Sequence, residues 1–169
     1  CSAGKHPRTK HGFQDATTDP EEIRRWWEQW PDANIGLATG EPSGVWVLDI
    51  DPRNGGDETL DAEFPGLEAA VESLTGGGGR HLFWSDPWGV PSSGSRGVLP
   101  GVDVKSDGGY VVLPPSNHKS GGRYEWEVEH HPEDQEPGEA PPELLARVRT
   151  KPKTMKGAET VGKIIEAGG

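Results

Sequence analysis

The run Val45-Trp-Val-Leu-Asp-Ile-Asp-Pro52 restricts what this chain can fold into more than any other segment. Its β-branched, aromatic and apolar residues read as a buried strand whose end presents two carboxylates. Asp49 and Asp51 stand two residues apart. Side chains on a strand repeat every two residues, so the spacing predicts both carboxylates on one face. Adjacent carboxylates repel and raise each other's pKa unless a cation sits between them, so the pair calls for a divalent metal ion. A strand end capped by solvated acids, or a turn over Asp51-Pro-Arg-Asn-Gly-Gly56, is the plainer reading of the same residues.

A chain of 169 residues is long enough for one domain with a genuine core. Its 25 Gly, 16 Pro and 31% hydrophobic content approach the composition of disordered chains. Seven Trp argue for the opposite, a compact, loop-rich domain with a small core, because each bulky ring buries a large area. No apolar run approaches the roughly 18 residues of a membrane span, and no signal-peptide pattern is visible. A single Cys excludes an internal disulfide and a multi-cysteine zinc site, and it fits a reducing compartment, so a cytoplasmic protein without a membrane partner is expected. The start at Cys1 and the end at Glu-Ala-Gly-Gly169 suggest a fragment of a longer polypeptide.

The net charge of −11 is unevenly spread. Residues 57–72 carry six acids and residues 125–143 carry eight, with no Lys or Arg in either run, so these two solvated faces hold −14 and the remainder is left at +3. An acidic sum therefore does not exclude a nucleic-acid or nucleotide ligand.

Several elements can be placed. Asp19, Pro20 and Glu22 predict a helix over Pro20–Trp30 that opens with a D-x-x-E capping box. Ile23, Trp26, Trp27 and Trp30 form one apolar stripe on it, expected to pack into the core. Asn34–Thr39 reads as a strand, joined by Gly40-Glu-Pro-Ser-Gly44 to the Asp49 strand in a hairpin. Residues 57–74 read as helical, broken near Pro65-Gly66, with Leu60, Phe64, Leu67, Ala70, Val71 and Leu74 inward. Leu82-Phe-Trp84 is a strand. Val102–Lys105 and Tyr110–Leu113 form a second expected hairpin across Ser106–Gly109, and Arg123–Val128 an edge strand. A Pro- and Glu-rich loop over 129–142 precedes a short helix at Glu143–Arg149. Residues 150–169 read as a basic linker and the start of a helix over Thr160–Ala167. The order of elements implies an α+β fold, a mostly antiparallel sheet with helices packed on it.

Three constellations could carry chemistry. Asp103, flanked by Val102 and Val104 that point the other way, brings a third carboxylate to the Asp49 and Asp51 pair if its strand lies beside theirs. Such a set suits two Mg²⁺ or Mn²⁺ ions holding a triphosphate. An EF-hand over Asp49–Leu60 fails, because Asn54 stands where Gly is needed and Leu60 where Glu is needed. The glycine run Gly76–Gly79 leads into Arg80 and His81, offering backbone N–H groups and two side chains to phosphate oxygens, although no Walker Lys-Ser/Thr follows. Leu113-Pro-Pro-Ser116-Asn-His118 ends a strand with a hydroxyl and an imidazole.

Together the segments Gly4-Lys-His-Pro7, His11–Asp19, Trp26-Trp27, Pro31–Gly40, Val47-Leu-Asp-Ile-Asp51, Gly78-Gly-Arg-His81 and Gly101–Ser116 resemble the bifunctional DNA primase/polymerase N-terminal (prim-pol) domain of the archaeo-eukaryotic primase superfamily. The resemblance covers residues 1–126. It implies an RRM-like sheet with a smaller α/β lobe and a catalytic cleft between them. It also implies that a first helix and strand expected before Cys1 are absent, so that a sheet edge is missing.

On that resemblance, Asp49, Asp51 and Asp103 are the catalytic metal ligands and His81 contacts the phosphates of an incoming nucleotide. Arg80, Lys105, Ser116 and His118 are further candidates for binding the triphosphate. The expected activity is template-directed transfer of nucleotides from dNTPs or NTPs to a primer 3′-hydroxyl on single-stranded DNA. The setting would be replication of a plasmid, phage or other mobile element. The expected domains are a catalytic unit over 1–149 and, over 150–169, a linker and the start of a primase C-terminal region, with a helicase domain farther along the parent polypeptide. A DNA-binding module that recruits a helicase and a metal-dependent nuclease are the alternatives.

Overall fold

A computed structural model describes residues 4–87, 89–92 and 97–149; the linker and the helix expected over 150–169 lie outside the described residues. The fold is α+β, with two antiparallel sheets. The larger has five strands in the order β5 (Val102–Lys105), β2 (Val45–Ile50), β4 (Arg80–Ser85), β3 (Val71–Leu74) and β7 (Glu125–Trp126). Leaving β7 aside, the first strand of this unit lies between the fourth and the third, with the second outside the third, which is the order of an RRM-like sheet. The smaller sheet pairs β1 (Ile35–Ala38) with β6 (Tyr110–Leu113).

Strand alternation gives the large sheet two different faces. Trp46, Leu48, Ile50, Leu82, Trp84, Val102 and Val104 project to one face and are all buried. They pack with Leu60 of helix α2 (Gly56–Glu63) and with Leu144 and Val148 of helix α3 (Pro142–Arg149). Val47, Val71 and Phe83 project to the other face, where Leu37, Val111 and Leu113 of the small sheet cover them. Full coverage at one end of this second face leaves the other end open, and the open end carries Asp49, His81 and Asp103.

Both expected hairpins are divided between the sheets. The turn after β1 does not fold β2 back onto it; a single bridge, Gly40 to Val45, survives, and β1 pairs with β6 while β2 joins the large sheet. β5 and β6 part in the same way. The two crossings run side by side and are tied together: Glu41 N–H donates to Asp107 Oδ1 at 2.7 Å, and Thr39 Oγ1 donates to the Ser106 carbonyl at 2.7 Å. Gly40 has φ +83°, and a Cβ there would fall 2.1 Å from Asp107 Oδ1, so only glycine fits this seam.

Three other expectations are corrected. The helix expected over 57–74 ends at Glu63, and Val71–Leu74 is a strand hairpinned to β4 around the glycine run. Pro65-Gly66 breaks the helix, and four residues are too few for periodicity to separate strand from helix. Helix α1 (Pro20–Gln29) is capped by Asp19, whose side chain accepts from Glu21 N–H at 2.9 Å, but the capping box does not close. Glu22 pairs with Arg25 instead, and Asp19 N–H donates to Thr17 Oγ1. The aromatic stripe of α1 is not core. Ile23 is exposed, and Trp26, Trp27 and Trp30 are half-buried around a cavity of about 630 Å³ on the outer face of the small sheet. That face offers Gly36 and Ala38 alongside Tyr110 and Val112, too little bulk to fill the space beneath three indoles.

Candidate active site

Asp49 is the centre of the open end. The register of the large sheet sets it opposite His81 on β4 and opposite Asp103 on β5, so the two carboxylates and the imidazole form a row across three strands. His81 Nε2 lies 3.4 Å from Asp49 Oδ1. Lys105, two residues along β5 from Asp103 and therefore on the same face, sits 3.0 Å from Asp103 Oδ2 and 3.8 Å from Asp49 Oδ2. Its ammonium bridges the two acids.

Burial alone would push the Asp49 carboxyl up, but His81, Lys105 and Lys5 together outweigh it and hold the pKa below the usual carboxylate range. Asp49 is therefore ionised at neutral pH. His81 is 5% exposed, edge-on to Phe83 and tilted against Tyr124. Its Nδ1 has no protein hydrogen-bond partner among the described residues, and neither has the hydroxyl of Ser73, directly opposite on β3. Burial and the nearby Asp49 charge raise the pKa of the buried Tyr124 phenol.

Asp51 lies just past the end of β2, where it caps the turn Pro52–Asn54. Its carboxylate accepts from Arg53 N–H and Nε, both at 3.0 Å, and from Asn54 Nδ2 at 2.9 Å. The Arg53 hydrogen bonds, aided by Asn54, lower its pKa. It lines the same 390 Å³ cavity as Asp49, His81 and Asp103, but turned toward Arg53. Among the described residues, no three His, Cys, Asp or Glu side chains converge closely enough to hold one ion. The donor chemistry still suits a hard divalent cation: two ionisable carboxylates face each other with a cationic group already between them, and a third borders the same cavity.

The remaining candidates divide. His118 lines the cavity; desolvation, then the charges of Lys5, Lys119 and Arg53, lower its pKa. Its ring packs over Gly77, and a Cβ at Gly76 would strike His118 Cβ at 2.4 Å. The glycine run is thus the close-fitting floor beneath His118. Two of its N–H groups are used within the turn: Gly78 donates to the Thr75 carbonyl and Gly79 to Thr75 Oγ1. Arg80 and Ser116 are placed elsewhere. As the neighbour of His81 on one strand, Arg80 points to the opposite face, where it pairs with Glu72 at 3.2 Å and Asp57 at 3.3 Å. Ser116 is fully buried, and its Oγ accepts from Ile35 N–H at 2.9 Å, joining the end of β6 to the start of β1. Sequence reasoning passed over Lys5 and Tyr124. Lys5 had a signal, since it stands inside the Gly4–Pro7 segment that carried part of the resemblance; Tyr124 had none.

The sequence model of the bifunctional DNA primase/polymerase N-terminal domain, Prim-Pol, matches residues 1–143. The chain belongs to that family, a family of DNA primases and polymerases that act on DNA and nucleotides. No curated protein matches it. No helix among the described residues is long and apolar enough to cross a membrane.

Proposed function

We propose that this domain extends a primer on a single-stranded DNA template by metal-dependent nucleotidyl transfer from dNTPs or NTPs. The observation that carries the reading is the row Asp103, Asp49, His81 across three adjacent strands of a Prim-Pol family chain, open to a cavity. Asp49 and Asp103, with Asp51 once its carboxylate leaves Arg53, would hold one or two Mg²⁺ or Mn²⁺ ions, which when bound activate the 3′-hydroxyl and neutralise the leaving pyrophosphate. With a cation between Asp49 and Asp103, the Lys105 ammonium that now bridges them would be freed to meet a phosphate oxygen. His81, held rigidly between Phe83 and Tyr124, presents an imidazole N–H to the triphosphate, and His118 closes the cavity from the side of the small sheet. With no covalent intermediate required, the residues act by positioning and by fixed charge.

Replication of a plasmid, phage or other mobile element is the proposed setting, with a helicase elsewhere in the parent polypeptide and a cytoplasmic location. The test is extension of a labelled primer on a single-stranded template with dNTPs and Mg²⁺ or Mn²⁺. Wild type should extend it, and Asp49→Ala should lose at least about 10³-fold in rate with its melting temperature retained. A primer that shortens would favour a nuclease. Template binding without incorporation would favour a helicase-recruiting module.

A further inference from the structure

Cations around the cavity are nearly all committed. Arg53 is held by Asp51, Lys105 by Asp49 and Asp103, and Arg80 lies on the other face with Glu72 and Asp57. Among the described residues that line the cavity, Lys5 is the one lysine or arginine with no carboxylate within ion-pair distance. It is nonetheless near enough to Asp49 and His118 for its charge to act on both. An uncommitted ammonium at the mouth of a cavity with ionised acids at its base suits a ligand that carries metal-bound phosphates inward and further negative charge outward.

The backbone around Lys5 is secured on two sides. Tyr110 Oη donates to the Lys5 carbonyl at 2.6 Å, and Tyr110 itself stacks on Phe13. Asn34, just before β1, donates through Nδ2 to the Gly4 carbonyl at 2.8 Å and to the Asn117 carbonyl at 2.7 Å, while its Oδ1 accepts from Asn117 N–H at 2.9 Å. One amide therefore joins the segment bearing Lys5 to the loop bearing His118. The fit is close: Gly4 has φ +79°, and a Cβ there would lie 3.1 Å from Asn34 Nδ2. Only a side chain with both donor and acceptor can make all three bonds.

We propose that Lys5 binds the triphosphate of the incoming nucleotide, and that Asn34 is a positioning residue that holds Lys5 at the cavity mouth by tying Gly4 to Asn117. This rests on the nucleotidyl-transfer reading of the same site.

The experiment measures KM and kcat for dATP in primer extension, and dATP binding by calorimetry, for wild type, Lys5→Ala, Lys5→Arg, Asn34→Ala and the Lys5→Ala/Asn34→Ala pair. Lys5→Ala should raise KM and Kd about tenfold with kcat within about threefold, and Lys5→Arg should recover most of the loss. Asn34→Ala should raise KM about fivefold alone but less than about twofold on the Lys5→Ala background, since a residue acting through another loses its effect when that other is gone. Unchanged KM and Kd in Lys5→Ala would overturn the proposal, and equal factors in the two backgrounds would overturn the role of Asn34. If wild type binds dATP without extending a primer and Lys5→Ala weakens that binding, the lysine assignment stands while the polymerase reading falls. Wild type that neither extends nor binds dATP would sink both.

Discussion

The two sheets are built to different standards of closure. On the large sheet, Trp46, Val47 and Leu48 are completely excluded from solvent, covered by α2 and α3 on one side and by the small sheet on the other. The small sheet is packed on one face only; its outer face looks into a cavity beneath an α1 that buries none of its residues. The acids and His81 stand on the first sheet, whereas Lys5 and His118 come from segments attached to the second. In the proposed reaction, the groups that must keep a fixed geometry sit on the fully packed scaffold, and those that would close on a ligand sit on the more loosely packed one.

The largest expected effect sets one sheet directly against the other. Trp46→Ala should cost about 3–5 kcal/mol, as large-to-small changes in closed cores do. Trp27→Ala, which truncates a half-buried ring over a cavity, should cost only about 1 kcal/mol. Denaturant unfolding of both variants measures the contrast, and equal losses would mean that the outer face of the small sheet is packed as tightly as the core. A smaller effect belongs to the seam. Gly40→Ala combines a left-handed backbone with a clash against Asp107 and should cost about 2 kcal/mol or more. Gly44→Ala, with φ +68° and nothing within 4 Å, should cost about 1 kcal/mol from the backbone alone. A Gly40 variant no worse than the Gly44 variant would show that the two sheets can separate at the crossing without penalty.

The smallest effect is a pH dependence on the helix-covered face of the large sheet. Burial raises the Glu72 carboxyl despite the opposing charge of Arg80. A carboxyl whose pKa is higher folded than unfolded binds more protons in the native state, so its contribution to stability is present at acid pH and is lost as pH rises through the raised value. Glu72→Gln should remove that decline from the stability profile as pH rises out of the ordinary carboxylate range. A variant profile that keeps the same slope would assign the decline to another group.

Part of this was legible along the chain. The alternation of Val45–Ile50 and of Val102–Lys105 put Asp49 and Asp103 opposite the apolar side chains of their strands, and the structure sets these two acids in register. The same parity could have separated Arg80 from His81, because consecutive residues on a strand cannot share a face. The two-residue spacing puts Asp51 with Asp49 on a strand that in fact ends at Ile50, one residue before Asp51. The Trp stripe of α1 gave the right helix and the wrong environment: periodicity reports which side of a helix is apolar, and not whether the opposing surface has the bulk to meet it. Both missed hairpins share a cause. A short turn between two strands is compatible with folding back or with crossing to another sheet, and the structure takes the second course, with the two crossings tied where Glu41 N–H meets Asp107 Oδ1, far apart in sequence.

Local physics, carried in the sequence, determined every named strand except Val71–Leu74, where the helices start, which residues of a strand share a face, and the family to which the chain belongs. Those properties depend on neighbours a few positions away. Tertiary structure alone decided that β1 and β2 part into different sheets, that Lys105 bridges Asp49 and Asp103, that Ser116 is used as a joint, and that Asn34 brings Lys5 to the cavity mouth. Each of these is a contact between residues distant along the chain, set by which surfaces could be buried together, and no local pattern encodes it.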